Sequence, residues 1–231
     1  MRKNILLVGD SHGIGLEIAR NLIEEYTVYV ASGTNDQLND LDVIHIPFDT
    51  ATDFLEEKQI PYEIHGFVYF PSSINRKPFE MLSIDTFAED MNLNYFALIK
   101  VLKPVIPRMA NASSMVFFSA VAVGKGTPFH TSTAGAKGAI EGFAESLAAE
   151  YAPKVRINTI APSLVDTPLA KRLLGNDRKK KTASERHSLK RYSQTSDIAN
   201  LTIFLLSEKS GWVTGQNLGV DEGASTLNIN G

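Results

Sequence analysis

The feature that most restricts what this chain can fold into is an alternation. Seven short β-rich apolar runs recur along it: NILLVG (4–9), TVYVA (27–31), VIHIPF (43–48), GFVYF (66–70), SMVFFS (114–119), RINTIA (156–161) and QNLGVD (216–221). Between them lie longer stretches with helical spacing: 14–25, 53–60 (DFLEEKQI), 83–109, 133–151 and 196–208. Strands that are apolar on both faces and joined by helices predict a mostly parallel, seven-stranded sheet with helices on both sides, a doubly wound (Rossmann) α/β fold. No repeat, linker or composition shift divides the chain, so 1–231 reads as a single domain.

Composition removes several classes of function. A net charge of -3 gives no reason to expect nucleic acid or an anionic membrane as partner. The chain has no cysteine, which excludes disulfides, thiolate metal sites and a cysteine nucleophile, and suits a reducing compartment. Arg2 and Lys3 open the chain as a signal peptide would, but the apolar run Ile5 to Val8 is too short for one. A cytoplasmic protein without a metal site is expected.

The first run ends in VGDSHGIG, and a helical pattern follows at once. Gly9, Gly13 and Gly15 allow a tight turn and close approach of backbone to a pyrophosphate, with amides at a helix N-terminus facing the negative charge. Ser11, His12 and Ile14 complete that turn. A dinucleotide site of this kind reads the ribose at the end of the second strand. Ala31, Ser32 and Gly33 stand there, with no carboxylate before Asp36. Ser32 and Thr34 can donate to a 2′-phosphate and His12 can add charge, so NADP is placed ahead of NAD.

Lys137 lies in the middle of FHTSTAGAKGAIEGF (129–143), where a hydroxyl among Thr131, Ser132 and Thr133 fits a helix cap. The stretch 171–191 holds nine Lys or Arg against Asp177 and Glu185. It reads as a solvated loop, with a lid over an anionic ligand as the alternative.

With these motifs in view, the chain resembles the short-chain dehydrogenase/reductase family over essentially its whole length. The glycine turn is similar to that family's TGxxxGxG, with Val8 for Thr. VRINTIAPSLVDTP (155–168) resembles its VRVNxIxPGxxxT, with Ser163 for Gly, and VTGQNLGVDEG (213–223) resembles its last strand. The resemblance implies that Asp49 lies near the adenine, and Pro162 and Thr167 near the nicotinamide. It puts Lys137 on the lysine of YxxxK and Asn94 on the family's asparagine, with Asn92 as the alternative. Thr133 then stands where the family has tyrosine. Ala120 stands where it has serine, with Ser119 adjacent, and Phe70-Pro71-Ser72-Ser73 replaces NNAG.

Thr133 cannot take over from a phenol. An aliphatic hydroxyl lies near water, far above the phenol of tyrosine at about 10. That gap is worth roughly 7 to 8 kcal/mol. The hydroxyl also ends roughly 4 Å short of the phenol oxygen. The resemblance therefore implies an NAD(P)-dependent oxidoreductase acting on a small carbonyl or alcohol through a non-standard acid/base site. Lys137, Asn94, Thr133, His130 and Ser119 are its candidate residues, and Lys137 also serves the nicotinamide ribose. The alternatives are an inactive dinucleotide-binding sensor or scaffold, and a bare interaction module. Substrates with and without negative charge both remain open. The small residues Gly135, Ala136, Gly138, Ala139, Gly142, Ala144, Ala148 and Ala149 allow close helix packing and, with the family's habit, imply a homodimer or homotetramer.

Overall fold

A computed structural model describes residues 2–228. Each apolar run becomes a strand: β1 (Lys3–Val8), β2 (Tyr26–Ser32), β3 (Val43–Pro47), β4 (Ile64–Tyr69), β5 (Met109–Phe118), β6 (Val155–Pro162) and β7 (Asn217–Val220). They form one sheet in the order β3-β2-β1-β4-β5-β6-β7, and every pairing is parallel. The order reverses between β1 and β4, which opens a crevice beyond the strand ends at that point.

Because successive side chains alternate faces, each strand feeds two cores. Leu6, Val8, Phe67, Tyr69, Met115 and Phe117 face one side, under α3 (Ala97–Val105) and α5 (Thr131–Tyr151). Ile5, Leu7, Val28, Val30, Val116 and Phe118 face the other, under α1 (Gly13–Leu22) and α8 (Thr195–Leu206). Each fully buried aliphatic side chain of this kind contributes about 1.5–3 kcal/mol relative to exposure. Strand ends clamped from both sides make a rigid floor for the crevice.

Four local expectations are corrected. DFLEEKQI forms only a single 3-10 turn, Glu57–Gln59. Leu55 and Ile60 are its buried apolar residues while Phe54 is exposed, so no helical stripe faces the core. The segment 83–109 is α2 (Ile84–Met91), a π turn (Asn92–Phe96) and α3, followed by a 3-10 turn that leads into β5. The basic stretch is helical rather than a loop, comprising α6 (Lys171–Leu174) and α7 (Asp177–Arg186). Leu174 anchors it in the interior, and the Asn176 side chain caps α7 by accepting the Lys179 N–H at 2.9 Å. Finally, α5 has His130 at its N-cap position with no side-chain cap bond. Ser132 and Thr133 are turned inward instead.

Candidate functional site

A cavity of about 610 Å³ opens where the sheet order reverses, within the range of small-molecule and cofactor sites. Its walls come from the segments after four strand ends. β1 supplies Asp10, His12 and Ile14; β4 supplies Phe70 to Ile74 and Arg76; β5 supplies Ser119 to Ala122; β6 supplies Pro162 to Val165 and Thr167. The short helix α4 (Val121–Gly124) and α5 close one side, α5 contributing Thr133 and Lys137, with His130 at its entrance.

The glycine turn is tight for stated reasons. Gly13 has φ +56°, and a Cβ there would come 3.1 Å from Asp10 Oδ1 and 3.4 Å from Thr167 Cγ2. A Cβ on Gly15 would lie 2.3 Å from the Asp10 carbonyl oxygen. Thr167 thus packs over the turn from the far side of the switch point. Ser11 is buried, and its hydroxyl meets His12 Nδ1 at 3.1 Å and Thr34 Oγ1 at 3.0 Å. His12 Nε2 lies 3.7 Å from Asp36 Oδ2. The Ser32 hydroxyl donates to the Thr34 carbonyl at 2.7 Å and contacts His45 Nε2 at 3.1 Å, so it is engaged within the protein. Asp49 is exposed at the end of β3, one carboxylate oxygen accepting the Ala51 N–H at 2.8 Å.

Asp10 was not among the expected site residues. It has φ +56°, and its carboxylate accepts the Gly15 N–H at 2.8 Å. A negative group therefore already sits on the helix N-terminus that a pyrophosphate would use. Burial lifts this carboxyl to about 6, against the amides of Gly15, Ile14 and His12 and the charge of His12.

The other end of the cavity is built on side chains. Lys137 is 2% exposed and donates to the Phe118 carbonyl at 2.9 Å. Burial pulls its ammonium down to about 7, with the Asp90 carboxylate opposing that shift. Asn94, in the π turn, is fully buried, while Asn92 is exposed. The open alternative is thereby resolved in favour of Asn94 as the inward-facing residue. Its Nδ2 donates to the Asp90 carbonyl at 2.8 Å and to Ser73 Oγ at 2.9 Å. The wider π turn makes that carbonyl available. Asn94 Oδ1 has no partner among the described residues. The Ser119 hydroxyl donates to Glu141, and Thr133 is 7% exposed with its hydroxyl toward Asp90. His130 Nδ1 is 2.8 Å from the Pro128 carbonyl.

Asp90 is the residue that sequence reasoning missed. It is 1% exposed and gathers Ser73, Asn75, Ser132 and Thr133 around one carboxylate. No tyrosine lines the cavity among the described residues. Tyr69 is buried in the core and donates to the Leu93 carbonyl at 3.0 Å. From the segment after β6 the cavity receives Leu164, Leu169, Ala170 and Leu173 rather than the cations of α6 and α7. Lys180 is instead 3.3 Å from Asp166, and Lys181 lies near Glu185. Among the described residues no cluster of three or more His, Cys, Asp or Glu is placed to hold a metal ion, and no helix is long and apolar enough to cross a membrane.

Residues 48–225 match the family described as Enoyl-(Acyl carrier protein) reductase. The chain is 27% identical over 243 residues to a 3-oxoacyl-[acyl-carrier-protein] reductase of Chlamydia trachomatis, covering 96% of this chain and 97% of that protein. To the protein of the same name from Thermotoga maritima it is 32% identical over 136 residues, 58% of this chain and 54% of that one. The ligand-free aldohexose dehydrogenase of Thermoplasma acidophilum superposes with a TM-score of 0.87 at 25% identity, over 100% of this chain and 97% of that one. The matched stretch takes in most of the chain and the superposition runs end to end, so this chain belongs to the short-chain dehydrogenase/reductase family.

Proposed function

We propose that this chain, as one domain over 1–231, is an NAD(P)-dependent oxidoreductase acting on a small carbonyl or alcohol through an acid/base site unlike its family's. Lys137 carries the reading. A buried lysine is costly unless it is used, and this one lines a cavity at the sheet's switch point, across from the glycine turn. The residues fit a dinucleotide. The turn leaves no room for a Cβ at Gly15 and holds Gly13 at a positive φ, and Lys137 spends one of its three N–H donors on Phe118.

When bound, the cofactor exchanges a hydride with the substrate carbon. In this reading the glycine turn, with Gly9, Ser11, His12, Gly13, Ile14 and Gly15, holds its pyrophosphate. Asp49 stands by the adenine, Pro162 and Thr167 by the nicotinamide, and Lys137 holds the ribose. Asn94 braces Ser73, while His130, Ser119, Thr133 and Lys137 face the reacting oxygen. NADP is favoured over NAD because Ala31, Ser32 and Gly33 put no carboxylate at the end of β2. The Ser32 hydroxyl serves to hold the turn that presents Thr34 and His12 to a 2′-phosphate.

The substrate has an apolar body, for which Phe70, Val121, Leu164 and Leu169 supply wall, and Arg76 offers a place for one negative charge. The exposed Gly135, Gly142 and Ala149 on α5 support a homo-oligomer through that face, since a Cβ at either glycine would meet nothing within 4 Å. Light scattering that gives a monomer mass would overturn that assembly.

The test of function is NADPH oxidation measured against a panel of ketones and aldehydes, for the wild type and for Lys137→Met. Turnover that disappears in the variant supports the reading. A wild type that binds NADPH and reduces nothing would instead be the inactive sensor.

A further inference from the structure

The cavity's hydroxyls carry information about which group gives up a proton. A carboxylate only accepts hydrogen bonds, so any hydroxyl bonded to one has its proton pointed there. Ser73 donates to Asp90 Oδ1 at 2.5 Å, Thr133 approaches Asp90 Oδ2 at 3.4 Å, and Ser119 donates to Glu141. All three line the cavity, and all three have turned their single proton away from it. His130 Nδ1 faces the Pro128 carbonyl at 2.8 Å, which leaves Nε2 of the neutral ring as an acceptor. Lys137 alone among the candidate residues keeps N–H bonds to spare.

Asp90 produces much of this pattern. It lies on α2 where that helix packs against α5, and its carboxylate is 1% exposed. Oδ1 receives Ser73 and the Asn75 side chain at 2.8 Å, and Oδ2 receives Ser132 and Thr133. These donors come from the segment after β4 and the first turn of α5, the two walls that flank the position where the family places its phenol. Every one of these partners is a donor, the set of contacts that suits a carboxylate. Its charge is felt by Lys137, and it offsets part of the cost of burying that ammonium. The other titratable groups around Lys137 are Asp10, His12, Arg76 and His130 in the cavity wall, and Glu141, which is one turn along α5 and is held by Ser119.

We infer that Asp90 is a positioning residue that hands the proton chemistry to Lys137, by turning the neighbouring hydroxyls into acceptors and by keeping Lys137 protonated. The inference rests on the oxidoreductase reading. As the carbonyl carbon gains hydride from a reduced nicotinamide dinucleotide, the oxygen keeps the π electron pair and takes a proton from Lys137 Nζ. The N–H electrons stay on nitrogen as a neutral amine, which solvent reprotonates. In alcohol oxidation the neutral amine accepts the hydroxyl proton.

The experiment is an NMR titration of the free protein, following the Lys137 ε-carbon in the wild type and in Asp90→Asn. The expected result is a midpoint near neutrality in the wild type, and lower by about one pH unit or more in the variant, since an anion that favours the ammonium has been removed. An unchanged midpoint would overturn the inference. If Asp90→Asn does not fold, the wild type alone decides, because the Asp90 carboxyl carbon must show a step at the pH where Lys137 titrates. A flat response there also overturns it. With a substrate in hand, the high-pH fall of kcat for reduction should move to lower pH in Asp90→Asn. A purely structural Asp90 would leave that profile in place. NADPH binding measured in the same samples separates the two failures. Binding without coupling between Asp90 and Lys137 ends this inference alone, and coupling without binding ends the oxidoreductase reading together with the catalytic role.

Discussion

Around the glycine turn the shape is set by backbone: Gly9, Asp10 and Gly13 take positive φ, and the Gly15 amide is bonded to Asp10. Around Thr133 the wall is held together by side chains bonded to one another: Ser73, Asn75, Asp90, Asn94, Ser132 and Thr133. Both ends of the cavity rest on ends of the same parallel sheet, yet they differ in how they can change. Backbone at a helix N-terminus stays in place as long as the turn does, so the first end depends on its glycines and little on other side chains. A side-chain network has no such protection, and at the second end it centres on one carboxylate, Asp90, with four donors. The comparison teaches that the two ends of one cavity can vary separately, because different parts of the chain hold them; in the proposed function the first keeps the cofactor frame and the second carries a different proton chemistry.

The largest expected effect comes from Lys137→Met. If this lysine is both the ribose ligand and the acid, kcat should fall by about 10²–10⁴-fold, measured on a substrate found by screening. Equal turnover would dissolve the contrast between the two ends. Next is Thr133→Tyr, which restores the family's residue type. The site is 7% exposed and committed to the Asp90 network, so overpacking should cost about 1–3 kcal/mol in denaturant unfolding with no gain in turnover. A faster enzyme would mean the second end has merely lost a residue rather than been rebuilt.

A smaller effect is expected at the first end. The Asp10 carboxyl titrates near 6, above its ordinary value because it is buried. Above that pH it is ionised and repels a pyrophosphate, so NADPH should bind more weakly at pH 7.5 than at pH 5.5. Asp10→Asn should tighten binding at pH 7.5 by about tenfold, roughly 1.4 kcal/mol, and flatten the pH dependence. Calorimetry at the two pH values reads this directly, and an unchanged slope would show that Asp10 stands clear of the phosphates. His130→Ala ranks last. With its ring tied to the Pro128 carbonyl, its loss should reduce kcat by less than about tenfold. A complete loss would move the acid from Lys137 to His130.

How much of this was legible in the sequence follows from what each signal depends on. The strands could be read because runs buried on both faces are continuous in sequence. The roles given to Lys137 and Asn94 come only from the resemblance to the family, whose lysine and asparagine positions they match. Asp90 could not be read. In SIDTFAEDM it is one of three acids, with Asp85 and Glu89, and only packing of α2 on α5 decides which one turns inward. Ser73 and Asn75 lie in a segment without periodicity. Asp10 was visible as a letter, but its reach to the Gly15 amide depends on a backbone angle that sequence does not display. The charge of the basic stretch points to a loop, whereas Asn176 followed by Asp177 is the N-cap signal of the helix that forms there.

The measurement that tests the central claim most directly is a calorimetric titration of the purified protein with NADPH and, separately, NADH. A preserved cofactor frame predicts saturable binding of at least one dinucleotide, with NADPH favoured. Absence of binding for both, at pH 5.5 as well as at pH 7.5, would contradict the account, because the glycine turn and the buried Lys137 would then have no ligand to serve.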